Sequence, residues 1–197
     1  MTRRLLSGGS AGNKHLTTVV AAVLLLLLAI EGATLLNLRP LLTVHAFVGI
    51  LLLPVVGLKL ASTGWRMLRY YLGGDEYVQD GPPPVLLRTL VAPVLMLSTL
   101  VLFGTGVTLL ALGRTEGTVV ALHQASFVVW FGAAAVHVLV HVWKLPRLLR
   151  LRAAGAALRL TVVAGAVAVG LFSAVATLPA ADHLQDQATA HLHVDAD

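Results

Sequence analysis

Apolar residues run along this chain in five long blocks, and polar or basic segments separate one block from the next. Each block has about the 20 residues that an α-helix needs to cross the hydrocarbon core of a bilayer. The pattern therefore predicts an all-α fold with five membrane-spanning helices, over residues 15–38, 41–62, 90–112, 118–143 and 159–178.

The segments between the blocks contain residues that interrupt helices. Pro40 follows Arg39 at the first break, where proline is tolerated because it opens the next helix. The connector 64–88 contains Gly81 and three prolines, and 113–117 forms a short turn. The basic, small residues of 1–14 predict a mobile N-terminal tail. The polar residues 179–197 predict a disordered C-terminal tail.

Composition supports an integral membrane protein. Of the 197 residues, 57% are hydrophobic and 12% are charged, against about 25% charged in soluble domains. The mean hydropathy is +0.87. The absence of cysteine excludes disulfides and thiolate metal sites. The formal charge of +5 does not indicate a nucleic-acid partner, because the basic residues lie in loops between apolar spans, where they report orientation instead.

Lysine and arginine are distributed unequally between the two sets of loops. Ten lie in the N-terminal tail, the connector 64–88 and the basic segment 144–152, whereas the opposite loops contain Arg39 and Arg114. Positive loops face the cytoplasm. The sequence therefore predicts a multi-pass protein of the inner (plasma) membrane, with a cytoplasmic N-terminus and the C-terminus outside.

Five histidines lie in or at the ends of these spans, where ionisable groups are costly and tend to be functional. At ~1.5 Å per residue, His45 and His123 lie ~6 and ~7 Å below the outer ends of their spans. His15 lies at the inner end of span one, with His137 ~9 Å and His141 ~3 Å above the inner end of span four. This pattern predicts an outer pair, His45 with His123, and an inner pair, His15 with His137 or His141.

Paired imidazoles at two levels are what two bis-histidine haem b groups need. Six-coordinate iron favours electron transfer over oxygen chemistry. Gly49, one turn after His45, would leave room for a macrocycle beside the helix.

This constellation resembles the bacterial cytochrome b561 family and the related cytochrome b subunits of hydrogenases and formate dehydrogenases. The resemblance extends over roughly 15–152. It implies that His15, His45, His123 and His137 are axial ligands of haem iron, with His141 as an additional histidine before a basic segment. The chain departs from the family in two respects: Leu16 replaces the usual tryptophan after the first histidine, and the fifth helix is additional.

The resulting domain prediction is a four-helix haem-binding bundle over 15–152, with a cytoplasmic tail at 1–14, an extra helix at 153–178 and a polar tail at 179–197. The expected function is electron transfer between a membrane quinone pool and an unidentified partner, with possible quinone oxidoreductase activity. Two alternatives are a membrane anchor subunit of a multi-subunit oxidoreductase and a haem-free polytopic protein.

For several of these residues the sequence is also compatible with a structural role rather than a functional one. The outer histidines could bond neighbouring helices, His137 could make a polar contact between helices, and His15 could be an interfacial residue. His141 could instead bind a haem propionate or line a quinone site. Glu31 is either a proton acceptor near the outer haem or a partner of Arg39 or another polar neighbour. Lys59 is expected to reach the cytoplasmic surface.

Overall fold

The structure is a computed structural model that describes residues 9–79, 85–146 and 155–194, and within these ranges the regular structure is entirely helical. Five helices are long and apolar enough to cross a membrane, by length and composition, so the predicted all-helical fold with five spans is confirmed over this part of the chain. The long helices are α1 (Gly9–Thr34), α2 (Leu42–Tyr71), α3 (Ala92–Leu112), α4 (Thr118–His141), α5 (Ala156–Ala176) and α6 (Leu178–Val194).

Short helical pieces adjust the ends of the long helices. A 3-10 turn, Leu35–Asn37, extends α1, and another, Val142–Lys144, extends α4. A π-helical segment, Leu87–Val91, leads into α3, which ends where Gly113 adopts a left-handed conformation with φ of 60°. Glycine is the residue that accepts this conformation at a helix end without steric cost.

Helices α1 and α2 run antiparallel. Near the start of α1, Thr17 contacts Ser62 of α2, whereas at the other end Thr34 contacts His45. We call the end of the bundle at which α1 begins the basic end, because Arg66 and Arg69 of α2 lie toward it, and we call the opposite end the far end. On this description, His45 lies at the far end.

The main apolar core lies between α1, α2 and α5. Gly170 of α5 packs directly against the backbone carbonyl of Leu51, so the two helices approach closely there. The fifth helix, expected as an addition to a four-helix bundle, therefore contributes to the central packing. The buried aliphatic residues of this core are Val20, Leu24, Val48, Leu52, Val55 and Val163.

Helices α3 and α4 form a second unit whose interface is lined by small hydroxyl side chains. Ser98, Thr99 and Thr105 are buried on α3, and Ser126 is buried on α4. The indole N–H of Trp130 donates to the Thr99 hydroxyl across the interface at 3.1 Å. Small residues and interhelical hydrogen bonds are the usual means of helix association in lipid.

The predicted N-terminal tail is wrong for residues 9–14, which form the first turns of α1. The Ser10 N–H donates to the Glu76 carboxylate at 3.2 Å. Glu76 lies in the one-turn helix Asp75–Val78, so a negative side chain satisfies a free N–H at the positive end of α1. Residues 1–8 lie outside the described part of the chain.

The predicted disorder of the C-terminal tail is also wrong, because α6 is a helix that folds back onto the α1–α2 loop. Its own residues Ala181 and Leu184 are buried, and Ala181 packs in a cluster with Ile50 and Leu51 of α2. The Gln185 side chain accepts from the Thr43 N–H at 3.2 Å and donates to the Arg39 carbonyl at 2.6 Å. Apolar residues at helical spacing, such as Ala181 and Leu184, decide the structure of this segment rather than its overall polarity. The side chains of His191 and His193 lie outside the described residues.

Candidate functional site

The structure brings two of the predicted site residues together at the far end of the bundle. His45 lies in the first turn of α2 and His123 in the second turn of α4. Their ring centroids are 6.4 Å apart, and the ring planes are inclined at 87°. The pair therefore bridges the α1–α2–α5 unit and the α3–α4 unit.

Helix α1 holds the His45 ring through its Nδ1 atom. This atom lies 3.0 Å from the Glu31 Oε1 atom and 3.0 Å from the Thr34 hydroxyl. The Thr34 hydroxyl has one proton, which it donates to the Glu31 backbone carbonyl at 2.6 Å. Toward His45 it can only accept, so the ring carries its proton on Nδ1.

Helix α3 holds the His123 ring in the same way. Its Nδ1 atom lies 3.1 Å from the Leu102 carbonyl oxygen and 3.0 Å from the Thr105 hydroxyl. Thr105 donates its proton to the Val101 carbonyl at 2.7 Å, and a carbonyl can only accept. The His123 ring therefore also carries its proton on Nδ1.

The two tautomers leave both Nε2 atoms with a free lone pair. All the hydrogen bonds that the described residues make to these rings are at Nδ1. A histidine that donates from one ring nitrogen to a carbonyl or carboxylate and presents the other is the usual arrangement of a metal ligand. Both rings are therefore held at Nδ1 by neighbours on adjacent helices, with Nε2 unengaged.

The separation of the rings is compatible with one metal between them. Two metal–imidazole bonds of about 2 Å each separate the two nitrogens by roughly 4 Å, and half a ring at either end gives a centroid separation of roughly 6 Å. The observed separation is 6.4 Å. Two imidazoles on a common axis can take any angle between their planes, so the observed 87° is also compatible.

Two glycines lie beside the pair. A Cβ atom at Gly106 of α3 would come within 3.2 Å of the His123 Cε1 atom, so the absence of a side chain there lets the ring lie against the helix. A Cβ atom at Gly49 would lie 3.6 Å from the Glu31 Oε1 atom. The open side of Gly49 thus faces α1 and Glu31, and its predicted role beside a cofactor stays a prediction.

Glu31 pairs with His45 rather than with Arg39, so the polar neighbour that the sequence left open is a histidine of the site. Only 16% of its side chain is exposed, and its Oε2 atom is buried with no hydrogen-bond partner. Burying a carboxylate oxygen unpaired costs free energy. The stability of the fold alone therefore does not explain why a glutamate is buried at this position.

The histidines at the basic end are arranged differently. The rings of His137 and His141 stack with centroids 4.6 Å apart, and His141 Nδ1 donates to the His137 carbonyl at 2.9 Å. His15 is 9% exposed, and its Nδ1 atom is buried without a partner. Among the described residues no ring contact joins His15 to either of the others, so the predicted inner pair is not brought together as the outer one is.

Lys59 does not extend to the surface as expected. Its ammonium group donates to the Thr17 carbonyl of α1 at 3.0 Å. Asn13 donates to the Ser62 carbonyl nearby, also at 3.0 Å. These bonds form a polar seam between α1 and α2 at the basic end, and Lys59 is part of it.

Comparisons with known proteins give no further indication of identity: no protein-family model matches the chain, and neither curated proteins nor solved structures give a match. Within the described ranges, no group of three or more His, Cys, Asp or Glu side chains is arranged to bind a metal ion.

Several residues of the site could not be identified from the sequence. The hydroxyl side chains of Thr34 and Thr105, the Leu102 carbonyl and Gly106 all support the two rings. The only signal in the sequence was the abundance of Gly, Ser and Thr in the third span, which indicated close helix packing rather than particular partners.

Proposed function

We propose that this protein is a transmembrane b-type cytochrome that carries electrons between a membrane quinone pool and a partner of unknown identity. The observation that supports this proposal most directly is the His45–His123 pair, whose rings lie 6.4 Å apart. Each ring has its Nδ1 atom engaged by a neighbouring helix, which leaves Nε2 for a metal.

In this proposal His45 and His123 are the axial ligands of a haem b at the far end. A haem held by two histidines supplies reversible one-electron transfer and offers no open iron position. The chain's own residues orient the ligands: Glu31 and Thr34 fix one ring, while Leu102 and Thr105 fix the other. The hydroxyl-lined α3–α4 interface and the apolar α1–α2–α5 core keep the two ligand-bearing helices in register.

A second haem at the basic end belongs to the same proposal, with His15 and His137, or His141, as ligands. The cytoplasmic N-terminus, the external C-terminus and the quinone substrate are also proposed, from the basic loops and from the resemblance to cytochrome b561 proteins. His15 and His137 would have to approach one another when haem binds, because no ring contact joins them in the described residues.

The test is a reduced-minus-oxidised absorption spectrum of the detergent-purified protein, with pyridine haemochrome quantitation per chain. We expect a b-type α-band in the wild type. His45→Ala and His123→Ala should each lose the haem at the far end, while His183→Ala, on the exposed side of α6, should keep the wild-type content. Far-UV circular dichroism establishes that each variant keeps its helices.

Haem content also decides between one site and two. Two haems per chain, one of which is lost in His137→Ala, would support a site at both ends. One haem that His15→Ala and His137→Ala leave in place would restrict the proposal to the far end. A protein expressed with sufficient haem that binds none would refute the cytochrome proposal and favour a haem-free polytopic protein.

A further inference from the structure

We infer that Glu31 is a positioning residue for His45, and that it makes the two histidines of the far-end pair unequal. The inequality of the two histidines as haem ligands rests on the proposed function, whereas the contact between Glu31 and His45 is observed in the structure. The Glu31 Oε1 atom accepts from His45 Nδ1 at 3.0 Å. The corresponding acceptor for His123 is the neutral Leu102 carbonyl, at 3.1 Å.

The cost of this contact indicates a functional role rather than a structural one. Glu31 lies in an apolar span, in the segment Leu24–Gly32, and its second oxygen is buried with no partner. A leucine at this position would bury no polar atom, and removing a buried polar pair in favour of apolar residues is often neutral or stabilising. What the carboxylate gives in return is the orientation of one imidazole and a charge-assisted hydrogen bond at its Nδ1 atom.

Local geometry makes Glu31 and Thr34 act together. The Thr34 hydroxyl donates to the Glu31 backbone carbonyl one helical turn earlier, which turns its lone pairs toward His45. A Cβ atom at Gly49, one turn after His45, would make only an ordinary van der Waals contact of 3.6 Å with the Glu31 Oε1 atom, so Gly49 does not constrain the carboxylate. Thr34 therefore holds the His45 proton on Nδ1, where the carboxylate accepts it.

A carboxylate acceptor increases the donor strength of an imidazole ligand more than a carbonyl does, because charge-assisted hydrogen bonds are stronger than neutral ones. His45 is therefore the stronger electron donor of the pair. Removing partners of this kind typically weakens metal binding by about 10- to 100-fold.

The test compares Glu31→Leu and Glu31→Gln in the full-length protein, with Thr105→Val as the matched change on the His123 side. Glu31→Leu should retain haem about tenfold less tightly and show a changed electron paramagnetic resonance signature of the oxidised iron. Glu31→Gln keeps an acceptor, so it should restore retention while the midpoint potential rises. Thr105→Val should change less, because the Leu102 carbonyl still accepts from His123.

A second measurement separates this inference from the proposed function. Histidine-selective ¹⁵N NMR of the haem-free protein should show the Nδ1-protonated tautomer at His45. Glu31→Leu should keep this tautomer, because Thr34 still accepts, but should move the Nδ1 proton resonance upfield, because the charge-assisted hydrogen bond is lost. If the wild type binds no haem but this resonance moves, the cytochrome proposal fails and the positioning role stands. If haem binds, and haem retention, midpoint potential, paramagnetic resonance signature and the Nδ1 proton resonance are all unchanged in Glu31→Leu, the positioning role is refuted.

Discussion

The two packing units of this protein hold their helices together by different means. The α1–α2–α5 unit buries aliphatic side chains such as Val20, Leu52 and Val55. The α3–α4 interface instead buries hydroxyl groups, and the Trp130–Thr99 hydrogen bond crosses it. In lipid, burying aliphatic surface gains little over contact with lipid tails, so close packing and interhelical hydrogen bonds decide association.

The histidine pair lies where these two units meet, with one histidine on each unit. His45 belongs to the closely packed unit and bonds a carboxylate, whereas His123 belongs to the hydroxyl-lined unit and bonds a carbonyl and a threonine. A site at such a junction has one histidine on each unit, so its geometry depends on how the units pack. The following predictions test that dependence.

The largest effect is expected from Gly170→Ala, which tests the closely packed unit. A Cβ atom at this position would collide with the Leu51 carbonyl, and a backbone atom cannot rotate away. Overpacking of this kind costs about 1–3 kcal/mol. We expect a lower midpoint in the detergent denaturation of the helical signal, followed by circular dichroism.

Gly165→Ala is the matched control for this prediction. It lies on the same helix, and nothing lies within 4 Å of the added Cβ. It should leave the midpoint unchanged or raise it slightly, because alanine favours helix more than glycine. Equal loss of stability in both variants would mean that the close approach of α5 to α2 is not important for stability.

A smaller effect is expected from Gly106→Ala, which tests the His123 side of the site. The added Cβ would lie 3.2 Å from the His123 ring, which two hydrogen bonds hold in place. The ring must shift by a few tenths of an ångström, so haem retention should fall by roughly tenfold or less. Helix content and global stability should stay close to those of the wild type.

The control is Gly104→Ala, two residues away on the same helix and on another face, where the added Cβ meets nothing within 4 Å. The rate at which each variant releases haem is measured by transfer of the haem to an excess of apomyoglobin. If Gly106→Ala released haem no faster than Gly104→Ala, the packing of Gly106 against His123 would have no bearing on the site.

Trp130→Phe tests the hydroxyl-lined interface away from the histidines. It keeps an aromatic ring and removes the N–H that donates to Thr99. Hydrogen bonds between membrane helices contribute about 0.6 kcal/mol on average. A double-mutant cycle with Thr99→Val, measured by unfolding in mixed detergent, should give a coupling energy of that order; independent effects would argue that the bond does not hold α3 to α4.

The smallest effect on global stability is expected from Gln185→Ala, which releases α6 from the α1–α2 loop. The variant loses the bonds to the Thr43 N–H and the Arg39 carbonyl. Each bond contributes about 1 kcal/mol, so the loss of both should make the open form of α6 roughly 30-fold more populated. Limited proteolysis should cleave α6 faster in this variant than in Gln187→Ala, whose side chain makes neither bond; equal rates would show that Gln185 does not hold α6.

The sequence determined the helical class of this protein and the approximate extent of its five spans. Runs of apolar residues of bilayer length can satisfy their backbone groups only as helices, so the prediction follows from local composition. Counting ~1.5 Å per residue from the ends of the spans also put His45 and His123 at similar depths. The depth of a residue depends only on its position along its own helix, so the sequence is sufficient to predict it.

The tertiary structure decided which helices are neighbours and therefore which side chains meet. Glu31 bonding His45, Thr105 bonding His123 and the absence of a ring contact at His15 all depend on the rotation of each helix about its axis. Nearly uniform apolar surfaces give little indication of that rotation. The folding of 178–194 onto the α1–α2 loop also depended on contacts distant in sequence, such as Thr43 with Gln185, which composition alone does not encode.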